Sequence, residues 1–165
     1  MNKYKHYVYV IPEDDANRQI ANGFVRHDRV RDERILVESP AGGWSNVLKK
    51  FRNESVPRLR DYPDAHVIML IDFDGNVEGR RVHFEQGIPA EFKSRVFVLG
   101  SRNTPERLRN EANKNFEAIG NALANDCGAG VEGFWTHEQL SHNESDRQRL
   151  VETVRPFLFD PVVQA

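Results

Sequence analysis

Four short apolar runs, each closed by a polar or acidic turn, set the strongest limit on what this chain can fold into. They cover residues 7–11, 34–37, 66–71 and 95–99 and are rich in β-branched side chains. They lack a strict apolar–polar alternation, as expected for strands covered on both sheet faces. Longer amphipathic stretches separate them, the pattern of βα units around a parallel sheet. The expected fold class is therefore α/β, a mostly parallel four-stranded sheet flanked by helices. A chain of 165 residues is one domain and can bury roughly two-thirds of its unfolded surface. The single domain is expected to span residues 1–165, with a core over about 5–125 and a C-terminal helical extension.

The helices follow from spacing and end signals. Residues 16–27 carry Ile20 and Phe24 on one face, and a second helix starts near Trp44 with Val47, Leu48 and Phe51 inward. Thr104 is a good N-cap followed by Pro105 at the first helical position. One helix from there places Leu108, Ala112, Ile119 and Leu123 together and stops at Gly128. A last helix begins near Asn143, with Leu150, Val151 and Val154 facing the core. The stretch 75–93 shows no regular period.

In an open parallel sheet, ligands bind outside the carboxyl ends of the strands, so the residues just after each run carry the functional weight. These are Pro12-Glu13-Asp14-Asp15, Glu38-Ser39-Pro40-Ala41-Gly42-Gly43, Asp72-Phe73-Asp74-Gly75 and Gly100-Ser101-Arg102-Asn103. Carboxylates stand at three of the four ends. Residues two apart in extended chain point the same way, so Asp72 and Asp74 are expected to face one crevice. Carboxylates held that close need a cation between them, and oxygen ligands suit Mg²⁺ or Mn²⁺. Glu13 is the candidate general base or shared ligand, with Asp14, Asp15 or Glu38 as further ligands. Plain turn chemistry at Asp74-Gly75 and helix capping by Asp14 or Asp15 are the alternative explanations. Gly42 and Gly43, entering a helix, read as a plain tight turn or, alternatively, as amides that meet phosphate, with Arg102 nearby. Arg102, Arg107 and Arg109 suit either phosphate or salt pairing with Glu106 and Glu111. His137 and His142 lie five apart, which spoils the helical zinc-protease spacing.

The net charge of −2 does not announce nonspecific attraction to phosphate. The lone Cys127 rules out an internal disulfide and fits a reducing cytoplasm. No leader-like apolar segment follows the first six residues, and no run approaches the length of a membrane span.

The glutamate-ended strand Val8-Tyr9-Val10-Ile11-Pro12-Glu13 and the strand Val67-Ile68-Met69-Leu70-Ile71-Asp72-Phe73-Asp74 together resemble the Toprim domain. That domain is shared by topoisomerases, bacterial primases and the nucleases of the overcoming-lysogenization-defect group. The resemblance spans about residues 5–100 and implies a Rossmann-like sheet with the two strands adjacent. It also implies acid–base work for Glu13 and Mg²⁺ on Asp72 and Asp74. A glycine commonly follows the glutamate in that family, whereas Asp14 does here. Without a cleavage-tyrosine domain, a zinc module or an ATPase motif, the similarity is closer to compact stand-alone nucleases, including effector subunits of phage-defence systems. The partners it implies are nucleic acid, an ATPase subunit and further copies of the chain. A non-catalytic interaction subunit is the third alternative. Ile71-Asp72-Phe73-Asp74-Gly75 also resembles the nucleophile motif of haloacid-dehalogenase-type phosphatases, in which Asp72 would attack phosphorus and Asp74 serve as acid.

Overall fold

The computed structural model describes residues 5–161. Its sheet has four strands, β1 (Tyr7–Pro12), β2 (Ile35–Val37), β3 (Ala65–Leu70) and β4 (Val96–Leu99). They lie in the order β2-β1-β3-β4 and every pairing is parallel. Each expected strand is present to within a residue or two.

The helices between them are α1 (Asp15–Val25), α2 (Trp44–Lys50), α3 (Val56–Asp61) and α4 (Val77–Gln86). After β4 come α5 (Pro105–Ala112), α6 (Phe116–Ala129), α7 (Glu144–Thr153) and α8 (Arg155–Leu158). Successive strand residues point to opposite faces, and both faces are apolar. Val8, Val10, Ile68, Phe97 and Leu99 join the core under α1, α5, α6 and α7. Tyr9, Ile11, Val67, Met69, Val96 and Val98 join the core under α2, α3 and α4. The chain steps from β1 to β2 on one side and then crosses to β3 on the other. The strand order thus reverses at the β1/β3 boundary.

Three departures from the sequence expectations have local causes. The helix from Thr104 is two helices. Asn113 takes a left-handed conformation that ends α5, and the side chain of Asn115 then caps α6 through the amide of Ala118. Asn is among the few residues that tolerate that conformation. Gly128 is not the stop; it sits inside α6, where a Cβ would strike the Phe159 ring. The irregular stretch 75–93 contains α4, capped by the side chain of Asn76. Between α2 and α3 the helix widens into a π-turn over Phe51–Ser55, with the Val56 amide donating to the Phe51 carbonyl. Pro57 just beyond has no N–H with which to continue regular pairing.

The C-terminal part is not an extension. Leu150, Val154, Phe157, Leu158 and Phe159 are buried in the first core. α7 also closes the β4 edge with side chains. Asp146 Oδ2 accepts the Val98 amide at 2.8 Å, and Asn143 accepts the Gly100 amide at 3.1 Å and donates to the Gly100 carbonyl at 3.0 Å. Arg149 Nη2 donates to the Val96 carbonyl at 3.1 Å. An open edge invites pairing with another chain, and this one is occupied. No helix among the described residues is long and apolar enough to cross a membrane.

A buried carboxylate cluster at the strand-order reversal

Glu13 extends β1 by one residue, its amide donating to the Leu70 carbonyl at 2.9 Å. Beyond β3, the Ile71 and Phe73 amides donate to the Leu99 and Ser101 carbonyls, at 2.9 and 3.1 Å. Asp72, between them, turns its amide to β1 instead and donates to Glu13 Oε1 at 3.3 Å. The two side chains therefore meet at the carboxyl ends of adjacent strands. Glu13 is 7% exposed and Asp72 6%.

Asp14 completes the group: Glu13, Asp14 and Asp72 each offer an oxygen within 4.8 Å of the others. Asp14 is also the N-cap of α1, accepting the Asn17 amide at 2.9 Å. The Asn17 side chain binds the group from behind, donating to Asp14 Oδ1 at 3.0 Å and to Asp72 Oδ1 at 2.8 Å. Asn17 is buried and sits one turn into α1, so the cap that starts the helix also aims its amide at the carboxylates. α1 itself lies close to α6. A Cβ on Gly23 would strike the Glu117 carbonyl, and one on Gly120 the Ile20 carbonyl.

Among the described residues no Lys or Arg forms an ion pair with Glu13, Asp14 or Asp72. Burial without a counter-charge disfavours the ionised form. Desolvation pushes the Glu13 carboxyl up against the hydrogen bonds from Asp72. Desolvation likewise pushes Asp72 up, against the hydrogen bond from Asn17 and with the charge of Glu13 adding to the rise. The pair holds a proton well above the usual carboxylate range.

Asp74 is not in this group, a correction to the expectation that it faces the same crevice as Asp72. The expected alternation requires extended chain, but Asp74 and Gly75 both have positive φ, 50° and 77°. They form a tight turn in which the Asn76 amide donates to the Phe73 carbonyl at 2.9 Å. Asp74 is carried to the rim, its side chain 47% exposed and paired with Arg80 Nη1 at 3.2 Å.

The other candidates fall outside the cluster. Asp15 is exposed and holds Arg18 and Gln19. Glu38 faces Arg58 at 3.1 Å and Lys50 at 3.7 Å. The Gly42 and Gly43 amides donate to the Glu13 carbonyl, at 2.9 and 3.2 Å. Those donors fix the acidic residue's backbone and do not form the expected phosphate cradle. Arg102 points to the C-terminal segment, donating to the Glu138 carbonyl at 2.9 Å and to Ser141 Oγ at 3.3 Å, so it too is not placed for phosphate here. His137 Nδ1 accepts the Gln139 amide, and His142 packs edge-on against Phe73.

Sequence reasoning missed Asn17 and Arg80. Asn17 stands three residues after Asp14, where a cap's partner sits, so the Asp-x-x-Asn spacing was a usable signal. Arg80 lay in the stretch with no visible period.

No family model matches the chain, and no curated protein or solved structure matches it either.

Proposed function

We propose that the chain is a Mg²⁺- or Mn²⁺-dependent phosphodiesterase acting on nucleic acid, with Glu13, Asp72 and Asp14 as the cation-holding group. One observation carries this reading: buried carboxylates without a counter-charge lie where the strand order reverses. That crevice is where open α/β sheets bind ligands. Oxygen-only donors of this kind suit a hard divalent ion. A tightly bound proton is what such a group carries until a cation replaces it.

When bound, a divalent ion supplies Lewis acidity to a phosphoryl oxygen and lowers the pKa of bound water. The chain's own groups then have separable roles. Asn17 and the Asp72 amide fix two carboxylates in one orientation. Glu13, once its proton is displaced, would offer an oxygen to the cation beside Asp72 and Asp14. Asp74, at the rim, holds the Arg80 guanidinium at 3.2 Å. The choice of nucleic acid as substrate is supported by the Toprim-like pairing of a glutamate strand with an Asp-x-Asp strand, now seen as neighbours. An ATPase partner subunit belongs to the same resemblance.

The test is cleavage of plasmid and of a chromogenic phosphate monoester in Mn²⁺, by wild type and by Glu13→Gln. Plasmid cleavage that the substitution abolishes supports a phosphodiesterase. Turnover of the monoester alone would replace it with a phosphatase, in which Asp72 attacks phosphorus. Inactivity on both, alone and with added ATPase partner, would leave an interaction subunit.

A further inference from the structure

Arg80 is the one positive side chain that bonds to any of Glu13, Asp14, Asp72 and Asp74 among the described residues. It lies in the second turn of α4, directly after the loop that carries Asp72 and Asp74. Its Nη1 donates twice, to the Asp72 carbonyl at 2.8 Å and to Asp74 Oδ2 at 3.2 Å. Its Cζ lies over the Trp44 ring, 4.3 Å from the centroid. The side chain is only 13% exposed, yet Nε and Nη2 donate to no acceptor among the described residues.

That arrangement is a held guanidinium with its free edge unused. A long cationic side chain is ordinarily mobile and loses rotamer entropy on binding. Here Trp44 supplies a cation–π face and Nη1 a pair of anchors, so little freedom is left to lose. Trp44 is itself fixed: it follows Gly43, whose amide donates to the Glu13 carbonyl. One member of the stack is thus tied to the end of β1 and the other to the end of β3. The stack spans the rim of the crevice.

The charge around it says what the free edge is for. An anion approaching the carboxylates is repelled, and a cation on the buried group removes only part of that repulsion. A planar N–H fork matches two oxygens of a phosphate, and such bidentate charge-assisted bonds are among the stronger ones.

We propose that Arg80 is the phosphate-positioning residue of this site, its Nε/Nη2 edge taking two non-bridging oxygens of a phosphodiester. Trp44 and Asp74 keep the guanidinium in place. This rests on the reading of Glu13, Asp14 and Asp72 as the cation holders.

The experiment pairs two measurements on the full chain. Binding of a fluorescein-labelled oligothymidylate is followed by anisotropy in Ca²⁺, and the Mn²⁺-dependent rise in Tm is recorded alongside, for wild type, Arg80→Lys and Arg80→Gln. Loss of a charge-assisted contact predicts that Arg80→Gln weakens oligothymidylate binding by about tenfold or more. Arg80→Lys, which keeps the charge but not the fork, falls between, and all three proteins keep the Mn²⁺ rise. Equal affinity for wild type and Arg80→Gln would overturn the assignment, as would a wild type that shows the Mn²⁺ rise but binds no oligothymidylate. A wild type with no Mn²⁺ rise whose oligothymidylate binding still depends on Arg80 would sink the cation reading alone. Should Arg80→Gln fail to fold, Trp44 emission in wild type replaces it. Oligothymidylate must then change an emission component that Trp44→Phe lacks, and unchanged emission overturns the assignment.

Discussion

Replacing Asp72 by Asn removes the proton that burial forces onto the cluster, and the effect is readable in how melting temperature depends on pH. Desolvation raises Asp72 from an ordinary 3.8 to about 8 in the folded protein. The folded state therefore binds this proton more tightly than the unfolded chain does. Its stabilising contribution is complete below pH 3.8 and is lost as pH rises through about 8. His66 and His142 oppose this at lower pH. Burial pulls both down from 6.5 to about 4, so each favours folding as pH rises towards 6.5. At pH 6.5 each histidine is still half charged in the unfolded chain, so between pH 6.5 and about 8 the two return about 0.8 kcal/mol while the carboxyl pair loses its own contribution. One proton is worth about 1.4 kcal/mol per pH unit away from its pKa, so Asp72 loses about 1.6 kcal/mol across the window and the net fall is about 1 kcal/mol, less with Glu13 sharing the proton. For a domain of this size that is a fall of roughly 2–4 °C in Tm. Thermal melts in EDTA at the two pH values should show this fall in wild type. Asp72→Asn, neutral at both, should show little of it. With Mn²⁺ present the wild-type slope should flatten or reverse, because a cation requires the ionised carboxylates. A fall of equal size in Asp72→Asn, or none in wild type, would refute the reasoning.

Three further outcomes follow from the same geometry. Asn17→Ala deletes the donor shared by Asp14 and Asp72; a loss of about 1–3 kcal/mol is expected by chemical denaturation, with weaker Mn²⁺ binding by calorimetry. Asp74→Asn should leave the Mn²⁺-dependent rise in Tm intact, since Asp74 bonds to Arg80 and not to the buried group; its abolition would show that the rim loop rearranges to meet the cation. Asp146→Ala strips the Val98 amide of its side-chain acceptor and removes one of the acceptors of Arg81 and of Arg149. It should cost about 2–3 kcal/mol and, by exposing the β4 edge, raise the tendency to self-associate in light scattering.

The sheet was legible because the information that sets it is local and repeated. Runs such as Val67–Ile71 are apolar on both faces, and the turns after them are short and polar. The meeting of Glu13 with Asp72 was legible for the same reason, since chemistry in such sheets gathers at strand ends. Asp74 was misplaced because alternation applies only while the chain stays extended, and Asp74-Gly75 leaves that region one residue too early. The sequence does contain the warning: Asp-Gly is turn chemistry. The fused helix from Thr104 failed at Asn113, whose left-handed conformation the apolar spacing on either side does not reveal. Gly128 misled in the opposite sense, being small for the sake of Phe159 rather than for a helix end. Arg80 was invisible because its role depends on Trp44, thirty-six positions earlier in the chain, and on α4, whose outward face shows little apolar period.

Anomalous scattering from crystals grown or soaked with Mn²⁺ tests the central claim most directly. The account predicts a peak bounded by the carboxylates of Glu13 and Asp72 at the β1/β3 crevice, with Asp14 beside it, and no peak there in Asp72→Asn. Mn²⁺ found only at exposed carboxylates, with Glu13 and Asp72 still sharing a proton, would contradict it.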